Sequence, residues 1–248
     1  MMDDLLDRLM QLESDVRYQQ PPDDVEPELQ YTAGGIPILL SAPHAAVHTR
    51  NGKPKEEDEF TAGFVRLIGE QTGAHVLYAR RQSLTDPNWH TGVPYKARLR
   101  QVVESADVRL VLDIHGACVK REFGIGIGTM RGATCPVELP RIIESLGEYG
   151  FSADAEHVND RLDVDGAFTA TGQKGQETIT RFVLEKLHVP SAQFELHPSL
   201  RIVQRREDAS SGEPFTGDPG RIARAILGFI DIVGEVTAQA LRAKGITQ

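Results

Sequence analysis

Two histidines and a set of carboxylates stand where they could build a hydrolytic metal site. His44 closes the segment Ser41-Ala42-Pro43-His44, and His115 sits in Asp113-Ile114-His115-Gly116. The acidic run Glu56-Glu57-Asp58-Glu59 follows the His44 loop, and Glu195 lies in Gln193-Phe194-Glu195-Leu196-His197. Two imidazoles and one carboxylate make a three-ligand set for catalytic zinc, with a fourth position left to water. Zinc lowers the pKa of that water to about 7, giving hydroxide at neutral pH. A carboxylate off the metal can then take the proton and deliver it to a leaving nitrogen, and Glu195 is placed for that role. Asp113 precedes His115 by two residues, so on a strand both point to one face, where Asp113 can orient a neighbouring group. No segment has the compact HExxH spacing. A single histidine at a strand end is ordinarily a hydrogen-bonded structural residue, so the reading rests on the combination. His48, His75, His90, His157, His188 and His197 are read as surface or packing residues.

Such groups need rigid carriers. The run IPILLSA over 36–42 and the run VRLVLDI over 108–114 are continuous and apolar, as expected of strands buried on both faces. Further strands are expected over 74–79, 123–129 and 191–196. Helices are expected over 3–17, 59–71, 95–105, 136–150 and 176–187. A last helix starts at Asp218-Pro219, runs to about Lys244 and stops at Gly245. Strands alternating with helices predict an α/β fold, a mostly parallel sheet covered on both faces in three αβα layers. Ligands of such sheets sit beyond the carboxyl ends of the strands. His44, His115 and Glu195 all fall there. Residues 1–30 read as a helical extension, with Gln19-Gln20-Pro21-Pro22 ending its helix, and 31–248 as the functional domain.

Composition narrows the function classes. The formal net charge of −9 over 248 residues counts against nucleic acid and against anionic membranes as partners. No run of about 18 apolar residues is present and no signal peptide is read, so a cytoplasmic location is expected. Cys118 and Cys135 are too few for a disulfide framework and are expected to be reduced thiols. Cys118 is read as a packing thiol rather than a nucleophile. Gly124-x-Gly126-x-Gly128 lacks the GxGxxG spacing and reads as a strand whose small residues allow close backbone approach.

Taken in order, SAPHA (41–45), RNGKPKEEDEFT (50–61), DPN (86–88), YK (95–96), DIHGA (113–117), GIGT (126–129), TITRF (178–182) and QFELHPSLR (193–201) resemble the N-formylglutamate amidohydrolase family. That family belongs with the zinc carboxypeptidase-like and aspartoacylase-like hydrolases. The resemblance spans residues 41–201 and implies a phosphorylase/hydrolase-like fold with a mixed central sheet. It implies one zinc ion per chain held by His44, Asp58 and His115, with Glu57 as the alternative acidic ligand, and Glu195 as general base and acid. Deformylase members carry Arg-x-x-x-Asp-x-Asn-Arg, whereas here Asp86 and Asn88 are followed by Trp89.

The expected substrate is a small N-acyl amino acid or related carboxylate. An Arg fork is the natural clamp for a carboxylate. Arg80, Arg81, Arg181, Arg201, Arg205 and Arg206 are candidates, with Arg81 and Arg201 favoured. Asp86 is assigned with them to substrate binding, and Asn88 to the substrate or its oxyanion, where one donor is worth about 3 kcal/mol. Tyr95 and Lys96 are placed at the mouth. Two alternatives stand beside this reading: a carboxypeptidase-like metallopeptidase, and a binding domain of the same fold without turnover.

Overall fold

The apolar runs assemble one mixed sheet. In the computed structural model, which describes residues 2–243, it contains β1 (Leu29–Thr32), β2 (Ile36–Ala42), β5 (Ala74–Ala79), β6 (Leu110–Gly116), β7 (Ile125–Gly128), β8 (Leu162–Val164) and β9 (Ser191–Leu196). Their order across the sheet is β1-β5-β2-β6-β9-β7-β8. The central strands β5, β2, β6 and β9 are parallel, β1 and β7 run antiparallel to β5 and β9, and β8 is parallel to β7. A separate hairpin pairs β3 (His48–Arg50) with β4 (Lys53–Lys55). The expected α/β fold with a mostly parallel mixed sheet is the one observed.

Alternation along the strands sorts the core into two layers. Ile38, Leu40, Leu112, Ile114, Ala192, Phe194 and Leu196 face α1 (Met2–Glu13), α2 (Thr61–Thr72), α4 (Leu139–Glu148) and α6 (Pro219–Ala243). Phe229 of α6 packs edge-on against Phe64 of α2 and Phe194. Leu39, Leu77 and Val111 face the opposite layer, made by α3 (Pro94–Ser105) and α5 (Ile179–Phe182). Period two then dictates the rest: Ser41, Asp113, His115, Gln193 and Glu195 share the α3 and α5 side. The site grows from the carboxyl ends of that face.

Several boundaries differ from expectation, each for a local reason. The first helix ends at Glu13, and Val16 and Tyr18 beyond it are fully buried. The helix expected over 176–187 starts only at Ile179, because Thr178 caps it by accepting the Arg181 N–H at 3.0 Å. From Val183 to Leu187 it widens into a π-helix. Asp218 caps α6 as expected, accepting the Arg221 N–H at 3.0 Å; the expected stop at Gly245 lies outside the described residues. The small residues of β7 do admit close neighbours: a Cβ at Gly128 would lie 2.9 Å from the Ala170 nitrogen. No helix among the described residues is long and apolar enough to cross a membrane.

Candidate metal centre

The parallel register brings separate segments into rows. Ser41 stands opposite Asp113, Asp113 opposite Gln193, and His115 opposite Glu195. His44 leaves the end of β2 in the loop ahead of the hairpin. Asp58 is tied to it through the backbone, its N–H donating to the His44 carbonyl at 2.7 Å.

Three ligand atoms converge. His44 Nδ1 and His115 Nδ1 are 3.1 Å apart, and Asp58 Oδ2 lies 3.6 Å from the first and 3.4 Å from the second. A tetrahedral zinc ion with bonds of about 2.1 Å separates its ligand atoms by about 3.4 Å, so the spacing fits. The outer edges of both rings fix their tautomers. His44 Nε2 meets Asp86 Oδ1 at 2.9 Å, and His115 Nε2 meets Asp113 Oδ2 at 2.8 Å. A carboxylate only accepts, so each Nε2 carries the proton and each Nδ1 turns a lone pair inward. Two imidazole lone pairs and a carboxylate oxygen facing one another make a donor set that could hold a cation. The same crowding explains the titration directions. Burial alone would lower both histidines, but the surrounding carboxylates raise His44, and raise His115 well above its ordinary value. Burial would raise Asp58, yet the two histidines beside it hold it far below the usual carboxylate range.

Glu57 and Glu59 are engaged elsewhere, while Asp58 turns to the histidines. Glu57 accepts from the Ser210 N–H and hydroxyl at 2.6 and 2.5 Å. Glu59 pairs with Arg205 at 2.8 Å. Phe60, which opens α2, adopts φ 64°. A bulky residue in the left-handed region costs about 1–2 kcal/mol and persists only where its surroundings over-determine it.

Glu195 lines the same cleft and is 7% exposed. Burial pushes it from 4.5 up to about 7, against the pull of His115. Gln193 Nε2 donates to Glu195 Oε1 at 2.8 Å. Asp113 is held from below by Ser41 Oγ at 2.7 Å, and Ser41 meets the Tyr95 hydroxyl at 2.9 Å. Tyr95 is thus fully buried beneath the site, not at its mouth. Lys96 is buried too, its ammonium bound to Glu177 and to the His90 carbonyl.

The structure does not bring Arg81 or Arg201 to the cleft. Arg81 binds the 20s segment, through Glu26 and the Pro21 carbonyl. Arg201 lies behind Gly116 and donates to the carbonyls of Glu59, Leu196 and Ala117. Arg80, Arg181, Arg205 and Arg206 are likewise absent from the lining. Asp86 is fully buried behind His44 and orients it, while Asn88 does line the cleft. Asn88 Oδ1 accepts the Ile179 N–H at 2.8 Å, so its NH2 group is the end with capacity for a ligand. The arginines that do line the cleft are Arg50 and Arg121. Arg50 Nε donates to Asp86 at 2.5 Å, and its guanidinium carbon lies 4.9 Å from the Trp89 ring centroid. Arg121 lies 4.6 Å over Phe168. Cys118 is exposed and also lines the cleft, rather than packing inside.

His48 is the histidine that sequence reasoning passed over. It stacks on His44 with ring centroids 3.8 Å apart and planes within 4°. Burial first, then His44, lowers it to about 3, so it is a neutral plate backing the His44 ring. The Asn51-Gly52 dipeptide was the available signal, since it marks the two-residue hairpin turn that folds His48 and Arg50 against the site. His44, His48 and Asp86 also cluster. The direct His44–Asp86 hydrogen bond already fills that space.

No family model matches the sequence, and no curated protein matches it. Solved structures do resemble it. N-formylglutamate amidohydrolase from Ralstonia eutropha JMP134 superposes with a TM-score of 0.57 at 14% identity, over 86% of this chain and 99% of that one. A bacteriophage poly-γ-glutamate hydrolase gives 0.50 at 12% identity, over 87% and 89%. A carboxypeptidase-type protein from Burkholderia mallei ATCC 23344 gives 0.51 at 12%, over 97% and 67%. With this topology and these neighbours, the chain has the carboxypeptidase-like hydrolase fold that N-formylglutamate amidohydrolase also carries.

Proposed function

We propose that the chain is a metal-dependent hydrolase that cleaves a C–N amide bond in an N-acyl amino acid or related carboxylate. The observation that carries the reading is the convergence of His44 Nδ1, His115 Nδ1 and Asp58 Oδ2 beside a carboxylate pushed up to about 7. Those three residues would hold one zinc ion. Bound there, zinc supplies Lewis acidity, polarising the scissile carbonyl and making water ionisable near neutral pH. Glu195 takes the proton from the attacking water and returns it to the leaving nitrogen, a role suited to a group that titrates near 7. Gln193 aims Glu195 through its amide N–H. Asn88 donates its NH2 to the developing oxyanion. Arg50, steadied by Asp86 and Trp89, anchors the substrate carboxylate with its terminal nitrogens, the role first assigned to Arg81 and Arg201.

The cleft encloses about 790 Å³, enough for a ligand larger than a formylated amino acid. That volume favours a second reading, a peptide-like amide. Two structural neighbours are named for glutamate derivatives, so anionic substrates are the ones to try first. The test is metal analysis of the purified protein, followed by hydrolysis of matched N-acyl amino acid and peptide panels. Zinc near one per chain with turnover on the first panel supports the main reading. Turnover confined to peptides supports the second, and neither metal nor turnover defeats both.

A further inference from the structure

The acidic ligand is not positioned by its own loop alone. Glu13, the last residue of α1, is fully buried, and its carboxylate reaches across to the start of α2. Its Oε1 accepts the Phe60 N–H at 3.1 Å, and its Oε2 accepts the Gly63 N–H at 2.5 Å. The Tyr18 hydroxyl donates to Oε1 at 2.7 Å. The Phe60 side chain makes no capping hydrogen bond; the Thr61 N–H turns back to the Asp58 carbonyl at 3.2 Å, and the Phe60 and Gly63 N–H groups are satisfied by Glu13 from another part of the chain. The contact is built on both sides. A Cβ at Gly63 would lie 2.9 Å from the Leu9 carbonyl and 3.0 Å from Glu13 Oε2. Arg206 then closes over the segment, donating to the Glu13 and Val16 carbonyls at 2.5 and 3.0 Å and lying 4.5 Å from the Tyr18 ring. Burial pushes Glu13 up to about 7, and the three donors oppose that by favouring the carboxylate.

Phe60 follows Asp58 by two residues and holds the left-handed backbone turn into α2. We infer that Glu13 is a positioning residue of the metal centre: by fixing the Phe60 N–H, it sets the direction in which Asp58 leaves the loop toward His44 and His115. Glu13 and Tyr18 then form part of the ion-binding apparatus, through their contacts with the start of α2. The inference rests on the metal reading above.

Zinc affinity of the full chain, measured by competition with a chromophoric chelator, tests it. Glu13→Gln keeps the shape but turns one acceptor into a donor facing an N–H, and is expected to weaken zinc binding about 10–100-fold, as loss of outer support to a metal ligand does. Tyr18→Phe, which removes one donor from the same carboxylate, is expected to weaken it several-fold. Arg8→Ala loosens the same helix at its exposed pair with Glu70 and is expected to lower the melting temperature without changing zinc affinity. Folded Glu13→Gln with wild-type zinc affinity overturns the inference. Should that variant fail to fold, wild-type affinity in Tyr18→Phe overturns it. Wild-type protein that binds no zinc defeats the metal reading itself, and this one with it.

Discussion

Replacing Glu195 with Gln should produce a protein that is nearly inactive and more stable. The carboxylate sits in a site that raises it from 4.5 to about 7, principally through burial. That displacement corresponds to about 3 kcal/mol of native-state destabilisation once the group is ionised, an upper figure because cleft water screens one side. Because the folded value is raised, the native protein holds the proton longer than the unfolded chain. Stability is therefore fully present below about 4.5 and falls as pH rises to about 7. The glutamine variant lacks this fall. Metal-free wild-type and variant should denature alike near pH 4. At pH 8 the variant should gain up to about 3 kcal/mol, roughly 6–12 °C in a chain of this size. Thermal melts of chelator-treated protein from pH 4 to pH 8 measure the gap, and zinc-loaded turnover should drop about 10²–10⁴-fold. Two results refute the reasoning: a stability gap that does not widen with pH, or unchanged turnover.

Other perturbations separate the roles. His44→Ala and His115→Ala should each strip the metal, since two protein ligands hold zinc poorly; full zinc occupancy in either, read by elemental analysis, removes that ligand. Asp113→Asn keeps the shape but unfixes the His115 tautomer, so zinc affinity should weaken about 10–100-fold; an unchanged dissociation constant argues that His115 is oriented by other contacts. Arg50→Ala should raise KM for anionic substrates about 10–100-fold, the worth of a charged hydrogen bond, and leave neutral analogues little affected. A uniform loss on both would assign Arg50 to holding Asp86 alone.

The sheet and the candidate site residues at its strand ends were readable in the sequence because both follow short-range rules. Residues 38–42 and 110–114, within IPILLSA and VRLVLDI, are buried on both faces, and such runs read as strands whatever surrounds them. Ligand sites follow strand ends, so His44, His115 and Glu195 stood out by position. Choosing between Glu57 and Asp58 required a partner, Ser210, 153 residues from Glu57 in sequence. Arginines were the least legible. Their long side chains reach in any direction: Arg201 turns to backbone carbonyls, and Arg81 to the Pro21 carbonyl and Glu26, partners that no local pattern reveals. Arg50 reaches the cleft only because a hairpin reverses the chain, and Glu13 meets Gly63 across 50 residues.

The rows across β6 and β9 have a further consequence for how the chain finds its fold. Every residue of β9 is buried, with Gln193 and Glu195 on one side and Ala192, Phe194 and Leu196 on the other. A slip of one position would exchange the two sides, driving a carboxylate against Phe229 and presenting phenylalanine to the cleft. Mispairing of this strand is thus penalised by the side chains of the candidate site itself, and strand alignment and site geometry are selected together.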